Sequence, residues 1–320
     1  MKRTLFLKIS LIALLFSCQK EIEIDISEQE PTNVVHCYLS PNNNLDSNFI
    51  NVEIQTTQGL NNQTIKYITN ATVILIEDNI SIDTLIYSDE LNRYIPLTNL
   101  FNPESGKVYN LEINSNNKTL NSVTTLPGKV EIIETTFIPV SFKNEDAAAI
   151  SEVGIIFQDP PNENNYYEIL FVNYPDNYPF LFSSNVIYDV FSEDEAITSE
   201  NYYPTLIEFY LEKPKSLLFN DKTFNGELKT LTINTKFRQS IGGFYGFLKQ
   251  EAKITLRHVT EDYYLYKTKL YDHLYTQEED ILYGVGEPQE LHSNITNGLG
   301  VLGSYNSSIN ILFVDSMLIE

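Results

Sequence analysis

The chain has 320 residues, with 43 acidic against 21 basic side chains and a net charge of −22. That length accommodates two domains, and that charge argues against nucleic acid and against electrostatic attachment to anionic headgroups. The 21 tyrosines and 18 phenylalanines, with no tryptophan, favour β-rich cores and disfavour a carbohydrate platform built on indole rings.

Residues 1–17 read as a signal peptide. Lys2, Arg3 and Lys8 give a positive start, Ile9 to Phe16 are apolar apart from Ser10, and the small Ser17 precedes Cys18. The apolar run is too short for a membrane span, which needs about 20 residues. The pattern is that of a bacterial lipoprotein, cut before Cys18 and acylated on it. Phe16 is larger than the residue usually found two places before such a cysteine. Two or more acyl chains anchor a protein stably, since each buried CH2 contributes about 0.8 kcal/mol. Gln19, Lys20 and Glu21 resemble the surface-export signal of Bacteroidota lipoproteins, and read without that resemblance they are a solvated tether. Cleavage removes three basic side chains and no acid, so the mature chain is still more acidic. Its acids are scattered, as on a solvated surface.

Residues 22–127 read as short strands between turns rich in Asn, Pro and Gly. The strands fall at Ile22–Ile26, Val34–Leu39, Phe49–Thr56, Ala71–Ile76, Thr84–Tyr87, Val108–Ile113 and Thr119–Thr125. Ile50, Val52 and Ile54 alternate with Asn51, Glu53 and Gln55, as a half-buried strand requires. Asn114-Ser115-Asn116-Asn117 turns the last two strands into a hairpin. Seven strands in this span predict an immunoglobulin-like β-sandwich. Tyr109, in Gly106-Lys107-Val108-Tyr109, is placed like the tyrosine corner of such sandwiches or is an ordinary core aromatic. Leu126-Pro127-Gly128 closes the domain. Once Cys18 is acylated, Cys37 is the remaining cysteine. No intrachain disulfide is then available, and Cys37 reads as a small buried hydrophobe.

Residues 128–320 predict a second β-rich domain, sandwich or barrel-like, with one packed α-helix. Its strands fall at Val130–Ile138, Val153–Gln158, Tyr166–Asn173, Phe180–Phe191, Leu206–Leu211, Leu228–Phe237 and Ala252–Val259. A helix runs from about Glu261 to Gln277, with Thr260 as N-cap and Glu261 and Asp262 at the positive end of its dipole. Tyr263, Tyr266, Leu270 and Leu274 recur at helical spacing, a stripe for packing on a sheet rather than a ligand platform.

Chemistry-bearing motifs fail on context. Gly298, Gly300 and Gly303 match a dinucleotide fingerprint, but Ser304-Tyr305-Asn306 follows in place of a helix, and too little chain remains for the distant acid. Close backbone approach or a bulge at a sheet rim explains these glycines better. His36, His258, His273 and His292 have no zinc-site spacing, and no G-x-S-x-G elbow appears. His36 and Cys37, neighbours on a strand, point to opposite faces. The loop Asn42-Asn43-Asn44-Leu45-Asp46 has calcium-ligating residue types without the EF-hand pattern. The reading is a non-enzyme without cofactor or metal. A hydrolase with a hidden carboxylate pair and a structural or adhesive envelope protein are the alternatives.

Several segments together resemble the Bacteroidota outer-membrane lipoprotein family called domain of unknown function 4249. They are Cys18-Gln19-Lys20-Glu21-Ile22-Glu23-Ile24-Asp25-Ile26, Asn70-Ala71-Thr72-Val73, Gly106–Leu111, Asp262-Tyr263-Tyr264-Leu265-Tyr266, Glu287-Pro288, and Ser293 through Gly303. Leu302 departs from the aromatic often found there. The resemblance implies no catalytic residues. It implies an accessory lipoprotein facing the cell exterior, held in the outer membrane by the acyl chains on Cys18, and partnered with a TonB-dependent transporter for substrate capture or gating.

Overall fold

The structure is a computed structural model that describes residues 30–41, 49–59, 64–98, 100–115, 117–140, 148–174, 186–187, 190–197, 216–238, 250–283 and 290–314. The expected strands Ile22–Ile26 and Leu206–Leu211 and the loop Asn42–Asp46 lie outside these residues. The first half supplies β1 (Asn33–Leu39), β2 (Ile50–Thr56), β3 (Thr72–Glu77), β4 (Ile80–Ser88), β5 (Arg93–Ile95), β6 (Val108–Ser115) and β7 (Lys118–Thr125). The second half supplies β8 (Ile132–Val140), β9 (Ala148–Gln158), β10 (Tyr166–Tyr174), β11 (Val186–Ile187), β12 (Val190–Phe191), β13 (Ser216–Asn220), β14 (Leu228–Arg238) and β15 (Gln250–Val259). It ends with α1 (Glu261–Tyr283) and β16 (Leu299–Val314). The protein is mainly β, and its sheets do not close into a barrel among the described residues.

Twelve strands share one hydrogen-bonded path, β11-β10-β15-β16-β1-β2-β5-β4-β3-β6-β7, with β13 branching from β10. The path turns a corner in β4, where Val73↔Leu85 and Ile74↔Thr84 join it to β3, and Ile86↔Ile95 and Tyr87↔Tyr94 join it to β5. The strands before and after that corner face each other as a sandwich. Between them lie Val35, Cys37 and Leu39 of β1, Ile50, Val52 and Ile54 of β2, and Leu111 and Ile113 of β6. Burying each such side chain contributes about 1.5–3 kcal/mol. Tyr109 is fully buried there, and its hydroxyl accepts the Glu104 backbone N–H at 2.8 Å, the bond a tyrosine corner makes a few residues upstream.

A second sheet, β12-β14-β9-β8, stacks on the β10–β15 region. Phe157 of β9, Ile169 and Phe171 of β10, Leu231 and Ile233 of β14 and Leu256 of β15 fill the space between them. On the opposite face of β10, β15 and β16 lies α1, packed through Tyr263 and Tyr264 against Val259 and Tyr305. This second half therefore has three layers, sheet on sheet on helix. The helix also covers one face of β1, which leaves Val34, His36 and Tyr38 half-buried instead of solvated. Tyr38 meets Tyr263 edge-on at 5.2 Å between centroids.

The two halves are fused by β16. It lies in the middle of the path, antiparallel to β15 and parallel to β1, pairing Val34↔Leu299 through Leu39↔Ser304. Gly300 and Gly303 sit inside the sheet, not at its rim, and act by close approach, while Gly298 lies in the bend just before β16. Gly300 has φ +108, and a Cβ there would land on the Val35 carbonyl. At Gly303, on the other face, a Cβ would lie 2.9 Å from Tyr263 Cβ, so its absence lets α1 settle on the strand. Thr260 carries the first helical bond, accepting Tyr264 N–H on its carbonyl at 3.0 Å. Its hydroxyl caps nothing in the helix. Thr260 pairs with Ser304 instead, its Oγ1 accepting Ser304 N–H at 3.2 Å.

The other side of β16 is a buried polar seam. Ser304 Oγ lies 2.9 Å from Thr124 Oγ1, Asn306 Nδ2 donates to Ser105 Oγ at 3.0 Å, and Ser308 Oγ accepts Ile132 N–H at 2.9 Å. Asn310 Nδ2 donates to Thr135 Oγ1 at 3.1 Å. Ser304 Oγ, Asn306 Nδ2 and Ser308 Oγ also donate to the Thr125 and Pro127 carbonyls and the Glu131 carboxylate, so the segment crossing from β7 to β8 is held along β16 by side-chain hydrogen bonds. Burying these groups unpaired would cost about 1–3 kcal/mol each.

Candidate functional site

The sequence-derived site residues Cys18, Gln19, Lys20 and Glu21 lie outside the described residues. What the fold assembles from residues far apart in sequence is a buried charged cluster under α1 and a second polar cluster at the head of β10.

The first cluster centres on Glu168 of β10. Alternation along β10 sends Tyr167, Ile169 and Phe171 into the sandwich core and turns Tyr166 and Glu168 toward the helix. Both carboxylate oxygens are occupied. Oε1 accepts Ser216 Oγ–H at 2.8 Å, and Oε2 accepts Arg257 Nη1–H at 2.8 Å and Tyr263 O–H at 2.6 Å. The Glu168 side chain is 2% exposed and that of Arg257 18%. Burial pushes the Glu168 pKa up, but the charges of Arg257 and Lys267 and the Tyr263 and Ser216 hydrogen bonds outweigh it, leaving it below the ordinary carboxylate range. The Arg257 guanidinium also sits 4.2 Å from the Tyr305 ring centre. Tyr271 extends the chain of contacts through Ser216 Oγ at 2.8 Å. Four elements, β10, β13, β15 and α1, converge on this ion pair.

The second cluster ties the β9–β10 loop to the β13–β14 loop. Asp159 is fully buried; Oδ1 accepts Tyr167 O–H at 2.5 Å and Oδ2 accepts Gly226 N–H at 2.7 Å. Asp221 Oδ2 accepts Asn165 Nδ2–H at 3.0 Å and Asn225 Nδ2–H at 2.9 Å. Burial raises the Asp159 pKa and Asp221 adds to the rise, while the Tyr167 and Gly226 hydrogen bonds oppose it. Beside this cluster, Gly128, Glu163, Asn165, Tyr166, His258 and Glu261 edge a cleft of about 250 Å³. His258 Nδ1–H donates to the Gly128 carbonyl at 2.8 Å, and the ring stacks on Tyr167 at 5.3 Å. Burial lowers the His258 pKa and keeps the imidazole neutral.

His36 and Cys37 point to opposite faces of β1. Cys37 is in the sandwich core with its thiol pKa pushed up by burial, while His36 Nε2 bonds Tyr266 Oη at 2.9 Å. His292 Nε2 donates to Asp262 Oδ1 at 2.7 Å and holds the first turn of α1. Neither Glu168 nor Arg257 belongs to a motif. The available signal was a charged residue inside a strand whose neighbours are apolar, which marks a strand covered on both faces and needing a buried partner.

Fold and site together define a mainly β protein with two fused sandwiches, a helix on one face and buried polar struts between elements. The profile of the family described as Domain of unknown function (DUF4249) matches residues 19–310, and the chain belongs to that family. A search of curated proteins finds no match.

Proposed function

We propose that the protein is a non-enzymatic lipoprotein of the Bacteroidota outer membrane, anchored through acyl chains on Cys18, displayed on the cell exterior and partnered with a TonB-dependent transporter. The observation that carries this reading is the leader, with its positive start, apolar run and small residue before Cys18. Family membership from residue 19 onward fits a mature chain beginning at that cysteine. No helix among the described residues is long and apolar enough to cross a membrane, so on this reading attachment falls to the acyl chains. On this reading Gln19, Lys20 and Glu21 are a short tether that keeps the body close above the bilayer.

The transporter partnership rests on the family resemblance and is an analogy about neighbours. Co-purification of the tagged protein from detergent-solubilised outer membranes tests it. Recovery of a β-barrel transporter in stoichiometric amount is expected, and repeated recovery without one overturns the partnership. Intact-mass analysis tests the anchor separately: an unmodified amino terminus overturns it.

A further inference from the structure

We propose that β1 and β16 form a mechanical clamp that carries load between the acyl anchor and the body of the protein. The use of the clamp rests on the anchoring reading; its mechanical character rests on geometry alone. On that reading a pull on Cys18 reaches the described part of the fold through residues 30–32, at the start of β1. The entry is fastened first at Thr32, whose N–H donates to Thr57 Oγ1 at 2.9 Å and whose carbonyl accepts Thr57 N–H at 2.8 Å.

Beyond that point β1 is held on both sides. It pairs antiparallel with β2 from Asn33↔Thr56 to Leu39↔Ile50 and parallel with β16 from Val34↔Leu299 to Leu39↔Ser304. A pull along β1 toward its amino terminus slides it lengthwise past both neighbours. Bonds along both ladders then share the load and must fail nearly together, whereas a sideways pull breaks them one pair at a time. Sliding also drags Val35, Cys37 and Leu39, each fully buried, through the packed core. The parallel sense matters, because it puts the load-bearing end of β1 opposite the far, β15-bound end of β16, which pairs Gln250↔Val314 through Val259↔Tyr305. Gly300 is part of the device: without a Cβ it lets β16 lie against the Val35 carbonyl.

Single-molecule pulling on the mature chain tests this, with an enzymatically attached handle at residue 19 in place of the anchor. The second handle goes on a cysteine at one of two exposed positions of the β16 region, Ile311→Cys or Thr296→Cys. Pulling against Ile311 loads β1 and β16 in opposite directions along their axis, while pulling against Thr296 peels them from the shared end. A rupture force several-fold higher in the Ile311 arm is expected, with the first event releasing β1. Equal forces in the two arms, or a first event in the Ile311 arm that leaves β1 paired, overturn the clamp. Absence of acyl chains on Cys18 would remove the source of the load without altering this anisotropy, so the two failures are distinguishable.

Discussion

Replacing Arg257 by methionine strips the buried Glu168 of its hydrogen-bonded countercharge, leaving the charge of Lys267, while keeping most of the stem volume. Tyr263 and Ser216 still donate to the carboxylate, so what is lost is charge compensation. Breaking one partner out of a buried pair costs about 3–5 kcal/mol. The lost stacking on Tyr305 adds about 0.5–1 kcal/mol. Adding Glu168→Gln to the same chain removes the orphaned charge, so the double variant recovers part of the loss and is the more stable of the two. The pH dependence has a defined sign. In the native protein Glu168 has a depressed pKa, so its contribution is present above the unfolded value of about 4.3 and is lost as pH falls through the folded value. In Arg257→Met burial dominates and the folded pKa rises above the unfolded one. Stability then falls as pH rises from the unfolded value to the raised folded one, and the deficit against the native chain grows over that range. Urea unfolding followed by circular dichroism reads both effects. Equal stability of the single and double variants, or a deficit that shrinks as pH rises, refutes the reasoning.

Three further substitutions follow from the same contacts. Gly300→Ala places a Cβ on the Val35 carbonyl at φ +108, and loss of the folded state is expected by circular dichroism. Gly128→Ala, with nothing near its Cβ, should stay within about 0.5 kcal/mol of the native chain in the same assay. Tyr94→Phe removes a hydroxyl that donates to the Ile68 carbonyl at 2.9 Å and accepts Ala71 N–H at 2.8 Å, a loss of about 1–3 kcal/mol in urea titrations. Cys37, buried with its thiol held protonated, should resist alkylation until the chain unfolds, as peptide mass mapping across a denaturant series would show.

The strands of the first sandwich were legible because alternation there has a single cause, one face buried and one wet. Ile50, Val52 and Ile54 against Asn51, Glu53 and Gln55 need no knowledge of the rest of the chain. β5 was missed because three residues around one buried Tyr94 carry no period. β13 was missed for the opposite reason: Ser216–Asn220 is buried at every position, between the sandwich core and α1. β16 was the largest omission. Ser304, Asn306, Ser308 and Asn310 look like loop residues, and they are buried or half-buried because β7, β8 and the loop before β6 supply partners that appear only once the chain is folded. The helix was legible from its tyrosine spacing and runs on to Tyr283, but the hydroxyl of Thr260 serves β16 rather than the helix end. The Glu168–Arg257 pair joins strands far apart in sequence, and in a chain with 43 acids no single glutamate stands out.

The pairing of Val34 with Leu299 also sets an order of events during biogenesis. The first of the described strands to be synthesised meets its lasting neighbour among the last, so the main sheet stays unfinished while most of the polypeptide arrives. Such high contact order slows folding, and until β16 arrives the unpaired margins of β1 and β15 are templates for intermolecular aggregation. A chaperone that keeps the arriving polypeptide from self-association until the final segment emerges therefore addresses the stage at which this topology is most exposed.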